Sequence, residues 1–369
     1  MAETLKYKRR IARLLPIVVV LMTIASVWAS CEARHPEEED DGEVMLTLSL
    51  SLPGTEEDAE TRAITANEEK AINISQLKVL VFKVSGSTET FSYEAPPVKL
   101  QAGKYVVILK QSRAGERYRL VVIANAGAKL PVFPENVAKS DALKMITFNA
   151  AGKWNATGSS NYSPIPMWGE TATAQTITPT TVLGSVTLLR ALACIDVGCK
   201  LNGETAAGIS NFTLKSVSVY RTRNKGYVAP VNAGAINNNV VASVSIPSNA
   251  GTNSALTYNS TDGKSLIRTI YMAEAPQGSS RDNNVCLVVG GTYNGSTNYY
   301  RVDLMSSGGY IPIRRNCRYI VNIRAVSNAG YSTEAAALAG NKTLVIATSI
   351  SAEAWGGETA AGSGNITLP

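Results

Sequence analysis

Histidine is almost absent from this sequence: His35 is the only one, and it lies among acidic residues near the front. Without a second histidine, no Ser/His/Asp triad, Cys/His pair or histidine-bearing metal centre can be assembled in the body. Charge is also scarce, at 17% of residues. Asp and Glu are thinly spread through the body, and no carboxylate pair stands out in an apolar setting, so acid/base hydrolysis has no candidates. The expectation is a protein that is not an enzyme, with no catalytic residue, no cofactor and no metal site. Cysteine is rare as well: beyond Cys31 there are only Cys194, Cys199, Cys286 and Cys317. No histidine accompanies them, so a zinc site is not expected, and their spacing fixes no pairing. Buried thiols and a disulfide both stay open. Long apolar runs are missing except for residues 14–27, too short to span a bilayer comfortably.

That run belongs to a leader. It follows Lys6, Lys8, Arg9, Arg10 and Arg13 and ends in Trp28-Ala29-Ser30-Cys31. Small residues directly before a cysteine read as a cleavage site for a lipoprotein signal peptide over 1–30, with lipid on Cys31. The partner implied is the lipoprotein export machinery, and the mature chain leaves the cytoplasm.

Charge is unevenly placed. Residues 31–62 carry Arg34 and Arg62 against eleven acidic groups, a net of −9. Residues 63–369 hold 28 basic and 17 acidic groups, a net of +11. The basic residues are scattered rather than clustered, which excludes nucleic acid as a partner. The run Glu37-Glu38-Glu39-Asp40-Asp41 reads as a solvated tether or, since acidic residues just after the cysteine resemble those of Bacteroidetes surface lipoproteins, as a surface-export signal that is itself a tether.

Strand periodicity dominates the rest. Over residues 44–52, Val44, Leu46, Leu48, Leu50 and Leu52 point one way, with polar residues and Met45 between them. This is a half-buried strand that covers an apolar surface. Pro53-Gly54 stops it, and residues 55–68 read as an exposed loop. Further strands are expected over 76–84, 104–110 and 117–124, then a short helix near Ser140 and a Pro-punctuated edge segment over 164–170. A Thr-rich linker over 171–182 follows. The second half reads as strands over 185–199, 213–222, 239–246, 266–275, 285–293, 298–304, 316–326 and 343–355. Asn294-Gly295 is expected to form a hairpin turn. Many short strands with little helix imply an all-β protein of two sandwiches. The expected division is 31–62 as an acidic pro-segment, 63–182 and 183–369 as sandwiches, with 343–369 as the closing strand and tail.

The order of several segments resembles the Bacteroidales type V fimbrillins, the FimA-like major fimbrial subunit family. The resemblance rests on the leader, the alternating first strand and Thr61-Arg62-Ala63. It continues through Leu77-Lys78-Val79-Leu80-Val81-Phe82, Leu120-Val121-Val122-Ile123-Ala124-Asn125-Ala126 and Pro166-Met167-Trp168-Gly169-Glu170. In the second half it includes Leu189-Arg190-Ala191-Leu192-Ala193, Tyr299-Tyr300-Arg301-Val302 and Arg315-Asn316-Cys317-Arg318-Tyr319-Ile320-Val321-Asn322-Ile323. Trp28 and the cysteines at 194 and 199 depart from the family pattern. The resemblance implies two transthyretin-like β-sandwich domains in tandem, with short helical insertions, and a pilus subunit held at the outer membrane by its lipid until it is processed. It places cleavage by a trypsin-like, Arg-specific protease between Arg62 and Ala63. Loss of the first strand then empties a groove that a strand from another copy, or a related fimbrial subunit, fills. The donor candidates are Leu344, Ile346 and Ile350, with Thr348 on the same face, and Ile366 and Leu368 in the tail. The adhesion ligand, host or bacterial, is not specified. Two other readings accompany this one. One is a tip or accessory adhesin, against which the residues after Trp355 argue. The other is a carbohydrate-binding surface lipoprotein using Tyr293, Tyr299, Tyr300, Trp154 and Trp168 as stacking groups.

Overall fold

Period-two alternation of apolar side chains governs this chain, and its computed structural model is correspondingly almost all strand. It describes residues 42–53, 66–154, 163–202, 205–231, 236–237, 239–306, 309–340 and 346–355. In chain order the first half contributes β1 (Glu43–Ser51), α1 (Ala66–Glu69), β2 (Lys78–Ser85), β3 (Thr88–Glu94), β4 (Val98–Gln101), β5 (Lys104–Lys110) and β6 (Arg117–Ala124). It continues with α2 (Lys139–Lys144), β7 (Thr147–Asn149), β8 (Met167–Glu170), β9 (Val186–Thr187) and β10 (Leu189–Arg190). The second half contributes β11 (Leu192–Cys199), β12 (Phe212–Tyr220), β13 (Lys225–Tyr227), β14 (Leu256–Asn259) and β15 (Ser265–Ala273). After these come β16 (Cys286–Tyr293), β17 (Ser296–Asp303), β18 (Cys317–Val326), α3 (Glu334–Ala339) and β19 (Ile346–Ala354).

Four sheets carry the structure, in the orders β4-β5-β1-β9, β10-β8-β6-β2-β3, β15-β11-β18-β19 and β14-β12-β16-β17. The inner faces of the first two supply one apolar cluster, with Leu48, Val107, Val79, Ile123 and Trp168 among its members. The last two supply a second, including Ile195, Val217, Val289, Tyr319 and Val321. The fold class is therefore all-β, as the sequence pattern requires. Among the described residues, no helix is long and apolar enough to cross a membrane.

Several local expectations need correction. Residues 185–199 are not one strand but β9, β10 and β11, which join three different sheets. Val186, Leu188, Leu189, Leu192 and Ala193 are all buried, so the run lacks the alternating exposed side that marks a single strand. The segment over 164–170 is not an edge either, because β8 lies between β10 and β6. Gly169 makes that crossing possible: a Cβ there would lie 2.4 Å from the Thr187 carbonyl oxygen. Over 239–246 only Val240–Val241 is strand. The exposed β3 and β4 escaped notice because neither carries a buried apolar stripe. The short helix near Ser140 is α2. The turn at Asn294-Gly295 joins β16 to β17 with φ of 45° and 84°, the doubly positive geometry of a tight hairpin.

Candidate functional site

The alternating first strand occupies the middle of its sheet but is paired fully on one side only. β1 runs antiparallel to β5, from Glu43 opposite Lys110 to Ser49 opposite Lys104. Backbone bonds extend this ladder at both ends, from Gln111 N to Gly42 O (2.7 Å) and from Leu50 N to Gly103 O (2.8 Å). Gly103 sits in the turn before β5 with φ +70°, and a Cβ on it would approach Leu50 O to 3.2 Å. On the other edge, among the described residues, only Leu50 and Ser51 meet a strand, in parallel with Val186 and Thr187 of β9. Leu188 N donates to Ser51 O at 2.8 Å there.

Burial separates the two faces of β1 sharply. Val44, Leu46, Leu48 and Leu50 are buried in the first apolar cluster, Leu48 completely, while Leu52 is partly buried against it. Met45, on the opposite face, is 49% exposed. Four buried aliphatic side chains are worth on the order of 6–12 kcal/mol gross, comparable to the whole net stability of an ordinary domain. The strand is thus a large apolar filling held by a single full ladder.

Arg62 and Ala63, expected as the processing site, and Cys31, expected to carry the lipid, lie outside the described residues. What is described are the two flanks of the intervening segment, and both are buried: Pro53 on one side and Glu69 on the other. Over the last three residues of the expected 55–68 loop, the chain is instead the start of α1.

Glu69 is the centre of a polar cluster that the sequence reading missed. Its Oε1 accepts a hydrogen bond from the Tyr271 hydroxyl at 2.8 Å, and its Oε2 from Trp355 Nε1 at 3.2 Å. Arg268 Nε lies 3.7 Å from Oε2, and Arg190 Nε donates to the Glu69 backbone oxygen at 3.0 Å. The Arg190 guanidinium lies 4.8 Å from the Trp355 ring centre, and Tyr271 stacks on the same ring at 5.7 Å. Asn316, in the left-handed region with φ 52°, accepts from Arg190 N and takes the Trp355 N–H on its own carbonyl at 2.8 Å. Burial pushes the Glu69 carboxyl above its ordinary range, against the opposing pull of Arg190 and Arg268. The charge inside Leu189-Arg190-Ala191 was the available signal, since an arginine within an apolar run must find buried partners. Arg315, just before β18, pairs at 2.6 Å with Glu274, just after β15, both buried, and the half-buried Arg318 of β18 pairs with the buried Asp196 of β11.

Of the donor candidates, Ile346 and Ile350 lie on β19, an edge strand paired antiparallel with β18 from Val326↔Ile346 to Cys317↔Ala354. Their side chains are half-buried against the second cluster, as is Ala352. Leu344, Ile366 and Leu368 lie outside the described residues. Immediately after β19 comes Trp355, buried in the first cluster instead.

The cysteines at 194, 199, 286 and 317 are free and buried. Burial raises the Cys194 thiol well above its ordinary range. The aromatic residues considered for sugar stacking do not form an exposed platform. Trp168 and Tyr300 are buried, Tyr300 packs edge-on against Phe212 at 5.8 Å, and Trp154 against Phe148 at 5.9 Å. The Tyr293 hydroxyl is spent on Ser327 O at 2.8 Å.

Comparison with known proteins adds a family. A family model described as major fimbrial subunit protein (FimA) matches residues 46–284. No curated protein gives a significant match. Among solved structures, a candidate cell adhesion protein from Parabacteroides distasonis superposes with a TM-score of 0.50 at 14% identity, covering 85% of this chain and 99% of its own. The tip fimbrial protein Mfa3 from Porphyromonas gingivalis, with a C-terminal truncation, gives a TM-score of 0.50 at 15% identity, covering 85% and 100%. At these identities the likeness is one of fold.

Proposed function

The chain belongs to the FimA family of major fimbrial subunit proteins, and we propose that it is a shaft subunit that polymerises by strand exchange. A fimbrial subunit acts at the cell surface, among other fimbrial subunits. In the proposed pathway the precursor is exported as a lipoprotein through Cys31 and held at the outer membrane. A trypsin-like protease then cuts between Arg62 and Ala63, and the released fragment carries β1 away. The two sandwiches, over 63–182 and 183–369, remain as the subunit body in the extracellular fimbrium.

One observation carries this reading: β1 buries Val44, Leu46, Leu48 and Leu50 yet is fully laddered only to β5. Its loss leaves an apolar trough beside an unpaired strand edge, and a replacement strand satisfies both at once. The donor is sought at the C-terminal end, among Leu344, Ile346, Ile350, Ile366 and Leu368. A head-to-tail contact of this kind does not close on itself and gives a filament.

The test is digestion of the purified precursor with trypsin under native conditions, followed by sizing and by mass spectrometry of the new end. A subunit beginning at Ala63 that forms denaturant-resistant ladders is expected, and Arg62→Ala precursor should stay uncut and monomeric. Cleaved subunits that stay monomeric would refute strand exchange. Removal of residues 356–369 asks which part of the C-terminal end is donated, since ladders that survive it exclude Ile366 and Leu368.

A further inference from the structure

The Glu69 cluster joins two places that the strand-exchange reading treats separately. Glu69 lies seven residues after Arg62 in the sequence, and Trp355 directly follows the last residue of β19. We infer that the Glu69–Trp355 contact is an autoinhibitory latch, which keeps β19 seated on β18 until the chain is cut after Arg62. The inference rests on the exchange reading above and adds a regulatory step to it.

The argument begins with α1. It is a helix of a single turn, Ala66–Glu69, too short to be stable by itself. In the precursor the chain before it is continuous with β1, whose side chains are anchored in the first cluster. Behind it, Asn125 holds the chain by accepting from Asn73 N and donating to Ala71 O, each at 2.9 Å. A cut after Arg62 removes the forward anchor, leaving α1 on its bonds to Arg190 and Arg268 and on the rear anchor, as the last turn before a free end, where fraying concentrates. Fraying takes the acceptor away from Trp355 Nε1 and from the Tyr271 hydroxyl.

The other half of the latch is β19. It is an edge strand with a half-buried face, the kind of element that opens at low cost. Trp355, directly after it, is its large buried anchor, stacked on Tyr271 and faced by Arg190. Releasing that ring from its polar partners lets the strand peel from its Ala354 end. A single cleavage thereby empties the acceptor groove and frees the donor of the same molecule, and an uncut precursor presents neither.

Hydrogen exchange followed by mass spectrometry tests this on the full chain. Peptides covering 346–355 should exchange about tenfold faster in freshly cleaved monomer than in precursor, the factor expected when one buried hydrogen bond is lost. Trp355→Phe keeps the ring and removes the donor, and Glu69→Ala removes the acceptor. Either precursor should show the faster exchange before any cut, with little further change once cut. Equal exchange at 346–355 in wild-type precursor and cleaved monomer would overturn the latch, even if ladders form normally. Cleaved wild type that never forms ladders would overturn strand exchange instead, with the exchange rates still deciding whether the cut loosens β19.

Discussion

Leu48 is the side chain on which the removable-strand argument is most exposed to test. It is completely buried at the centre of β1, opposite Tyr105 of β5 and inside the first apolar cluster. Leu48→Ala removes three carbons from a site flanked by Leu46 and Leu50 on the same strand, where the β5 ladder limits collapse. A loss of about 3 kcal/mol is expected for the precursor, within the range for a buried leucine cut to alanine. In a chain of 369 residues, with an unfolding entropy of about 2.1 cal/mol/K per residue, that corresponds to a fall in Tm of roughly 4 °C. Differential scanning calorimetry of wild-type and variant precursor measures it directly. The same two proteins cleaved after Arg62 should then melt identically, because residue 48 leaves with the released fragment. If Leu48→Ala costs under about 1 kcal/mol in the precursor, the side chain is not filling a trough. If the difference persists after cleavage and fragment removal, β1 has not left, and the route to exchange is closed.

Other outcomes follow from the same structure. Met45→Thr, on the exposed face of β1, should change stability by less than about 0.5 kcal/mol in the same melts. Glu274→Ala should cost about 3–5 kcal/mol by urea unfolding, because it leaves the buried Arg315 guanidinium without its carboxylate. Lys83 donates to Glu116 at 2.6 Å and, as the largest influence, holds its carboxyl at about 2. A depressed carboxyl stabilises the fold above its ordinary value of 4.5, and that contribution is lost as pH falls towards about 2. Carbon-detected NMR titration should place Glu116 there and show it rising in Lys83→Met. For Glu69 the sign reverses: its raised carboxyl favours the fold most below 4.5, and the benefit fades as pH rises through the raised value. Glu69→Gln should flatten that part of the stability profile.

How much of this was legible beforehand depended on whether one side of a segment faces water. β1 was legible because leucines and polar residues alternate over its whole length. So was the β16–β17 hairpin, where Asn294-Gly295 supplies both positive φ angles. The 185–199 stretch was not, since side chains buried on every side leave no period to read, and three sheets claim its parts. α1 was invisible for the opposite reason. Three of its four residues are polar, and the burial of Glu69 is decided by Arg190, Arg268, Tyr271 and Trp355, more than a hundred positions away in the chain. Polar burial of that kind is tertiary information, and only the lone arginine among leucines hinted at it.

The two candidate partners in exchange are also unequal in a way that gives the process a direction. β1 is rich in burial and poor in pairing: its inner face is sunk in the first cluster, and one edge is almost bare. β19 is the reverse, laddered along β18 but with Ile346, Ile350 and Ala352 only half-buried. A donor that moves from the second environment to the first exchanges one antiparallel ladder for another. Backbone hydrogen bonding therefore changes little, while each aliphatic side chain loses its remaining contact with water. Apolar burial is the term that does not cancel. Such a strand has no gain to collect while β1 occupies the trough, so under the proposed exchange precursors should stay apart on thermodynamic grounds alone. The latch at Glu69 adds a kinetic restraint in the same sense. It holds the donor at home through the interval in which some neighbours are already cut and others are not.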